Sequence, residues 1–165
     1  MGESHERMPI DPSIRAGVYK RLEQVPEHLR LRVYEQEFEG RDCWAEYLDM
    51  RGWPEEGIQE RRQNHLQRTE ERWKSFIRER GRHPALCTPA DVEAYSEYLR
   101  TTRSLNLRTA STYWSDIERF YRWMFHDAEF PHRYHPFLMA AVNHEPSSEL
   151  WRDEITRGDR DNVQY

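Results

Sequence analysis

Five basic or hydroxyl side chains recur along residues 108–125, which read RTASTYWSDIERFYRWMF. Their spacing of four, three, four and three residues places them on one face of a helix: Arg108, Thr112, Ser115, Arg119 and Arg122. Hydroxyls and arginines donate hydrogen bonds to phosphates, and arginine also makes paired contacts with guanine in the major groove. The stripe therefore predicts a helix that lies on a nucleic acid. The alternative is a solvated face in which Arg119 pairs with Asp116 or Glu118.

An earlier segment carries a second polar stripe with the same spacing. Its residues fall on one face of a helix that we predict from about Ile58 to Arg80: Arg61, His65, Arg68, Arg72 and Ser75. Two helices with matching cationic rows can form one continuous surface. The second stripe therefore favours a nucleic-acid contact over two unrelated solvated faces.

The sequence offers little support for catalytic or metal chemistry. It contains no glycine-rich phosphate loop and no GxSxG motif. Cys43 and Cys87 stand far apart, without the spacing of metal ligands, and we interpret them as buried free thiols. His132 and His135 form an HxxH pair in a proline-flanked loop that supplies no third ligand. We therefore predict no catalytic group, no metal and no cofactor.

Charge is unevenly distributed along the 165 residues. The whole chain has a formal charge of −5, but residues 58–137 carry +3, between −5 on residues 1–57 and −3 on residues 138–165. Of the 25 basic residues, 23 are arginine, which suits forked phosphate contacts and equally suits a biased genome. A weakly basic middle segment is compatible with one cationic face.

The length suffices for one domain with a core of its own, with or without arms. No segment has the length and apolar content of a membrane span. The first residues, MGESHERMPIDPS, lack the apolar run of a signal peptide. We therefore expect no membrane partner and a cytoplasmic location.

The elements that must position the two stripes are helices. Apolar residues recur every three or four positions and strand-like alternation is rare, so we expect an all-α fold. The first predicted helix has an apolar face opposite its stripe: Leu66, Trp73, Phe76 and Ile77. The next helix begins at TPAD, because Thr88 can cap it, Pro89 suits its first turn and Asp91 can complete a capping box. We expect that helix to run to about Thr102.

The helix that carries the opening stripe has an aromatic face as well. Its expected core residues are Tyr113, Ile117, Phe120, Tyr121 and Met124. A short fourth helix follows His135 and Pro136 and closes the bundle. We divide the chain into an N-terminal helical arm at residues 1–57, partly disordered at its start, a helical DNA-binding domain at residues 58–143, and an acidic linker or tail at residues 144–165.

The order of these elements resembles the N-terminal core-binding, SAM-like domain of tyrosine recombinases of the phage integrase family. The resemblance lies in RTEERWKSFIRERGR, then TPADVEAYSEYLR, then LNLRTASTYWSDIERFYRWMFHDAEF and a following HPF. It covers about Arg61 to Leu138. His135 stands before Pro136 where the family usually has asparagine, but the proline still supplies the turn.

The resemblance implies a four-helix orthogonal bundle with an additional N-terminal arm, which binds one side of a DNA duplex at a recombination half-site. Thr109 matches the family's helix-opening threonine, and the basic and hydroxyl residues near it become the expected contacts. The expected DNA-binding residues are Arg68, Thr69, Arg72, Arg108, Thr109, Thr112, Ser115, Arg119 and Arg122. A catalytic recombinase domain or further protomers on DNA are additional partners that the resemblance allows.

The family's catalytic domain has no counterpart in the pattern. Its arginine, HxxR motif and nucleophilic tyrosine lie in a large second domain, and only 27 residues follow Leu138. His65 and Arg68 do spell HxxR, but they lie inside the first helix of the bundle, so we interpret the match as coincidence. We therefore expect that this chain alone is not an enzyme.

A different function class competes with DNA binding. The chain could be a helical interaction or regulatory module that uses exposed aromatic residues and its acidic N-terminal arm to bind another protein. Trp123 fits neither the core face nor the polar stripe. We interpret it as a rim residue or as a contact with a catalytic domain.

Overall fold

The computed structural model describes residues 11–51 and 59–161. Those residues form eight α-helices, several short helical turns and no strand. The predicted all-α class is therefore confirmed. The arm is expected to be partly disordered at its start, and residues 1–10 lie outside the described residues.

The N-terminal part consists of short helical pieces that pack on the rest of the molecule. They are α1 (Pro12–Arg15), three 3-10 turns (Leu22–Gln24, Glu27–Leu29 and Leu31–Tyr34), α2 (Glu35–Phe38) and α3 (Cys43–Arg51). Val25, Leu31 and Trp44 are buried in the same core cluster as the later helices. The backbone N–H of Leu31 also donates to the hydroxyl of Tyr134 at 2.9 Å. The arm is thus attached along much of its length.

Four helices form the predicted bundle: α4 (Gln59–Glu79), α5 (Pro89–Glu97), α6 (Leu107–His126) and α7 (Pro136–Asn143). Gly81 adopts a positive φ of 75° just after α4, where a side chain would be strained. At the start of α5, Thr88 accepts from the N–H of Asp91 at 3.2 Å, and its own N–H donates to that carboxylate at 2.8 Å. The capping box is therefore present as the sequence predicts.

The core is built around Trp73 of α4. Its ring contacts Tyr95 at 4.9 Å, Phe137 at 5.5 Å and Tyr121 at 6.3 Å between centroids, so one residue joins α4 to α5, α6 and α7. The indole N–H donates to the carbonyl of Pro84 at 2.9 Å. A buried indole with its donor satisfied supplies apolar area without an unpaired polar atom.

The expected linker or tail at residues 144–165 is wrong for most of its length. Residues Glu145–Asp161 form a 17-residue helix, α8, that packs against α5, α6 and α7. Leu150, Trp151 and Ile155 supply its buried face. Its polar and acidic composition suggested a solvated segment, but these three apolar residues lie on one helical side and are enough to attach it to the core.

Candidate nucleic-acid interface

The nine expected DNA-binding residues divide into three groups by burial. Arg68 on α4 and Arg108 and Thr109 on α6 are exposed. Four side chains are half-buried: Arg72, Thr112, Arg119 and Arg122. Thr69 and Ser115 are buried, so the structure removes them from the candidate contacts.

Thr69 lies inside the contact between α4 and α6. It is fully buried, and its hydroxyl donates to the carbonyl of His65 at 3.0 Å and to the carboxylate of Asp116 at 3.3 Å. Its position next to Arg68 in the sequence suggested a surface contact. One residue along a helix rotates the side chain by about 100°, which turns Thr69 toward α6.

Ser115 is buried because α8 covers the polar face of α6. The hydroxyl of Ser111, one turn earlier on α6, donates to the carbonyl of Leu150 in α8 at 3.1 Å. Ser115 is 1% exposed and its hydroxyl has no hydrogen-bond partner among the described residues. Residues 144–165 were expected to be an acidic linker or tail, so the sequence did not predict a helix over this serine.

Arg119 and Arg122 are held by carboxylates. Arg119 pairs with Asp116 at 3.5 Å and with Glu154 of α8, and Arg122 pairs with the buried carboxylate of Glu118. The first of these pairs is the alternative that the sequence left open for the solvated face. Both guanidiniums are therefore partly neutralised before any ligand approaches.

Glu118 and Asp116 remain ionised inside the protein. Burial by itself raises the pKa of Glu118, but the hydrogen bond with His135 and the charge of Arg122 outweigh it and lower that pKa to about 2. Asp116 follows the same pattern, since its hydrogen bond with His65 and the charge of Arg62 lower its pKa against the effect of burial. The polar side of α6 beyond its first turns is thus an internal charge network.

Several arginines have no carboxylate partner in the described part of the chain, and Arg32 is one of them. Four others of this kind lie on α4, after α5 or at the start of α6. They are Arg68 and Arg72 on α4, Arg103 after α5, and Arg108 at the start of α6, and we call them the basic surface. Arg68, Arg72 and Arg103 line one depression on the surface. Arg72 lies 4.4 Å from the ring centroid of Tyr113 in α6, and Thr109 lies one turn before that tyrosine on the same helix. This geometry brings α4 and the first turn of α6 to the same side of the molecule.

The backbone between α5 and α6 positions Arg103. A π-helix at Tyr98–Thr102 continues α5, and Ser104 then adopts a φ of 53°. Arg100 donates to the carbonyl of Leu105 at 3.1 Å, and the side chain of Asn106 caps α6 by accepting from the N–H of Thr109 at 2.9 Å. π-Helical turns and left-handed non-glycine residues often occur at functional sites. The sequence predicted a helix that ends near Thr102 and gave no structure to the residues after it, so Arg103 was missed.

His65, the histidine of the HxxR match, has a structural role and not a catalytic one. Its ring stacks on Tyr113 at 4.9 Å between centroids, and its Nε2 lies 2.8 Å from the Asp116 carboxylate. Among the described residues, no three histidines, cysteines or acidic residues are grouped as metal ligands. No helix in that part of the chain is long and apolar enough to cross a membrane.

The comparison with protein families matches residues 62–128 to the model described as phage integrase, N-terminal SAM-like domain. A search of curated proteins and a search of solved structures found no match. The matched residues run from the start of α4 to just after α6 and include all four arginines of the basic surface. The resemblance seen in the sequence is thereby confirmed. Residues 62–128 of this chain therefore match the N-terminal SAM-like domain of the phage integrase family.

Proposed function

We propose that this chain binds double-stranded DNA through the basic surface and so positions an integrase-type protein on a recombination half-site. The observation that carries the proposal is the group of four arginines without carboxylate partners, which lies within the residues matched to the integrase domain. The proposal assigns no catalytic step to this chain alone. The proposed partner is duplex DNA, and the proposed cellular compartment is the cytoplasm.

Free guanidiniums matter more than the total count of arginines. Each phosphate that a protein cation neutralises releases condensed counterions from the duplex, and this release drives much of the affinity. An arginine already paired with a carboxylate offers little net charge for that exchange. The contribution of α6 therefore comes from Arg108 and Thr109 in its first turn, with Thr112 beside them, and Arg119 and Arg122 serve the fold.

A protein partner remains the second candidate, and one observation favours it. A depression of about 490 Å³ beside the end of α6 is lined by Met50, Trp123 and Ala128 together with Arg119, Arg122, His126 and Asp127. Met50 is 69% exposed, and the indole nitrogen of Trp123 has no hydrogen-bond partner among the described residues. Contact of this face with a catalytic domain or a further protomer is compatible with DNA binding on the basic surface.

Salt-dependent binding to a labelled mixed-sequence duplex tests the DNA proposal. We expect the logarithm of the association constant to fall linearly with the logarithm of salt concentration, since counterion release gives a slope of about −0.9 per neutralised phosphate. The double variant Arg68→Ala/Arg108→Ala is expected to bind at least about tenfold more weakly and to flatten the slope by about 2. Fluorescence anisotropy at several salt concentrations provides both numbers.

The matched control for that experiment is Arg32→Ala. Arg32 is also exposed, but it lies on the N-terminal 3-10 turn at Leu31–Tyr34 and not on α4 or α6. Its loss changes the net charge of the protein without touching the basic surface. If Arg32→Ala weakens DNA binding as much as Arg68→Ala or Arg108→Ala does alone, the interface is not localised. Binding that does not depend on salt would favour the protein-partner alternative.

A further inference from the structure

A shallow depression of about 280 Å³ lies between α4 and the π-helix that follows α5. Its walls are Arg68, Glu71, Arg72, Ser75, Tyr98 and Arg103. We propose that this depression is a binding site for one phosphate group of the DNA backbone, with Arg72 as its anchoring residue. The inference rests on the proposed function and adds to it a defined phosphate position.

Arg72 is held in place before any ligand binds. Its guanidinium lies over the ring of Tyr113 at 4.4 Å, and His65 stacks on the same ring at 4.9 Å. Cation–π contact of this kind fixes the planar fork and leaves its N–H groups to be used by another acceptor. One of its terminal nitrogens, Nη1, is buried and has no hydrogen-bond partner among the described residues. The guanidinium as a whole is half-buried and has no carboxylate partner among the described residues, so its exposed part keeps its charge for an incoming anion.

The other walls fit a phosphate in charge and in hydrogen-bonding capacity. Arg68 lies one turn before Arg72 on α4, and Arg103 comes from the segment after the π-helix; neither has an ion-pair partner among the described residues. Three guanidiniums and the single carboxylate of Glu71 leave the lining with a charge of +2. Two hydroxyls in the wall, from Ser75 and Tyr98, are further donors for phosphate oxygens. Glu71 itself accepts from Gln67 at 3.5 Å.

The position of the depression favours a backbone phosphate over a small free phosphate compound. It is open to solvent on α4, and Tyr113 beneath Arg72 lies one turn after Thr109 in the exposed start of α6. A duplex lying on α4 and the first turn of α6 therefore places a phosphate within reach of Arg72. Contacts of this kind fix the register of a protein on DNA without reading the bases.

The first experiment measures the anion site without DNA. Inorganic phosphate is titrated into the protein while the Nε–Hε signals of the arginines are followed by NMR. We expect saturable shifts at Arg68, Arg72 and Arg103, no saturable shift at Arg32, and loss of the response in Arg72→Gln. Equal drift of all exposed arginines would mean general screening by salt and would overturn the site.

A second variant keeps the test valid if Arg72→Gln disturbs the packing on Tyr113. Glu71→Gln removes the one carboxylate among the described residues of the lining, and the Glu71 side chain is exposed. If phosphate binds in the depression, this variant is expected to bind inorganic phosphate about three- to tenfold more tightly, because a nearby like charge has been removed. An unchanged affinity would overturn the site.

The second experiment identifies the source of the phosphate. Duplexes that carry one neutral methylphosphonate at successive positions are compared for binding to the wild type and to Arg72→Gln. At one backbone position we expect the neutral linkage to weaken wild-type binding about tenfold and to have no further effect on the variant, since both changes remove the same contact. If the duplex binds but every neutral linkage weakens the wild type and Arg72→Gln equally, Arg72 does not bind a DNA phosphate. The proposed site is then wrong, and DNA binding by the chain still holds. If inorganic phosphate binds but the duplex does not, the assignment to DNA and the proposed function both fail.

Discussion

Arginine side chains in this protein divide into two chemical groups, according to whether a carboxylate holds them. Arg119 and Arg122 sit beside buried carboxylates whose pKa values are lowered, so the pairs persist at neutral pH. Arg68 and Arg108 have no such partner among the described residues. Residue type and helical spacing are identical in the two groups. What separates them is a carboxylate within reach: Asp116 and Glu118 lie one turn before these arginines on α6, and Glu154 reaches Arg119 from α8.

Ser115 allows the corrected assignment to be tested at a single hydroxyl. Because its Oγ is buried without a partner, Ser115→Ala is expected to leave the free energy of unfolding unchanged or to raise it by up to about 1 kcal/mol. DNA affinity is expected to stay the same. Urea denaturation and anisotropy measure the two quantities. A large loss of DNA affinity in a folded variant would restore Ser115 as a contact.

Ser111 is the matched control, one turn earlier on α6. Its hydroxyl donates to the carbonyl of Leu150 at 3.1 Å and accepts from Arg157 at 2.9 Å, so both partners are on α8. Ser111→Ala is expected to lower the free energy of unfolding by about 1 to 2 kcal/mol, because it leaves buried groups unpaired. The contrast between the two serines measures the packing of α8 on α6 and not a general effect of serine removal.

At the level of elements, α8 determines how much of α6 faces the solvent. It packs along α6 and α7, binds Arg119 through Glu154, and places Arg157 at 3.3 Å from the hydroxyl of Thr112. On this side of α6, the first turn with Arg108 and Thr109 stays exposed. The element that seemed to be a tail therefore restricts the candidate interface to the start of α6, the segment before it and α4.

Trp151 tests whether α8 is an integral part of the fold. Its side chain is fully buried, so Trp151→Ala is expected to lower the free energy of unfolding by about 3 to 5 kcal/mol through lost burial and a new cavity. Urea denaturation followed by circular dichroism measures this loss. The neighbouring Arg152 is exposed, and Arg152→Ala is expected to change stability by less than about 0.5 kcal/mol. Equally small effects from both variants would mean that α8 is a detached helix.

Local sequence signals predicted the bundle well, because they depend on neighbours in the chain. The Thr88–Asp91 capping box and the apolar spacing of α4 and α6 each specify a helix without tertiary information. The failures arise where a distant element decides the outcome. Residues Glu145–Asp161 are acidic on average, and this composition predicted a linker in spite of three apolar residues. Because α8 was not predicted, the burial of Ser115 could not be predicted either. Arg103 was missed because its position depends on the π-helical turn and on Ser104, which periodicity does not predict.

At the scale of the whole molecule, a net charge of −5 and a DNA-binding surface are compatible. The Debye length is about 8 Å at physiological salt, so acidic groups on the far side of the molecule act only weakly at α4 and α6. Local pairing then decides which surface attracts phosphates. Many of the acidic side chains are engaged with arginines in internal or surface pairs, and the basic surface remains without carboxylate partners in the described structure.

The stability of the whole fold is expected to fall as the pH is lowered from 8 to 5, because burial lowers the pKa values of three histidines: His83, His132 and His135. Burial lowers the pKa of His132 to about 4, although its hydrogen bond with the carbonyl of Ala85 at 2.7 Å acts in the opposite direction. The unfolded chain takes up the proton near pH 6.5 and the folded chain does so only near pH 4, so acid favours unfolding across this window. The expected loss at pH 5 that comes from His132 is about 2 kcal/mol. Urea denaturation at several pH values measures it. His132→Gln, whose amide can donate to the same carbonyl, is expected to remove this contribution of about 2 kcal/mol at pH 5. A flat wild-type profile from pH 8 to 5 would show that the imidazole is not buried as a neutral group.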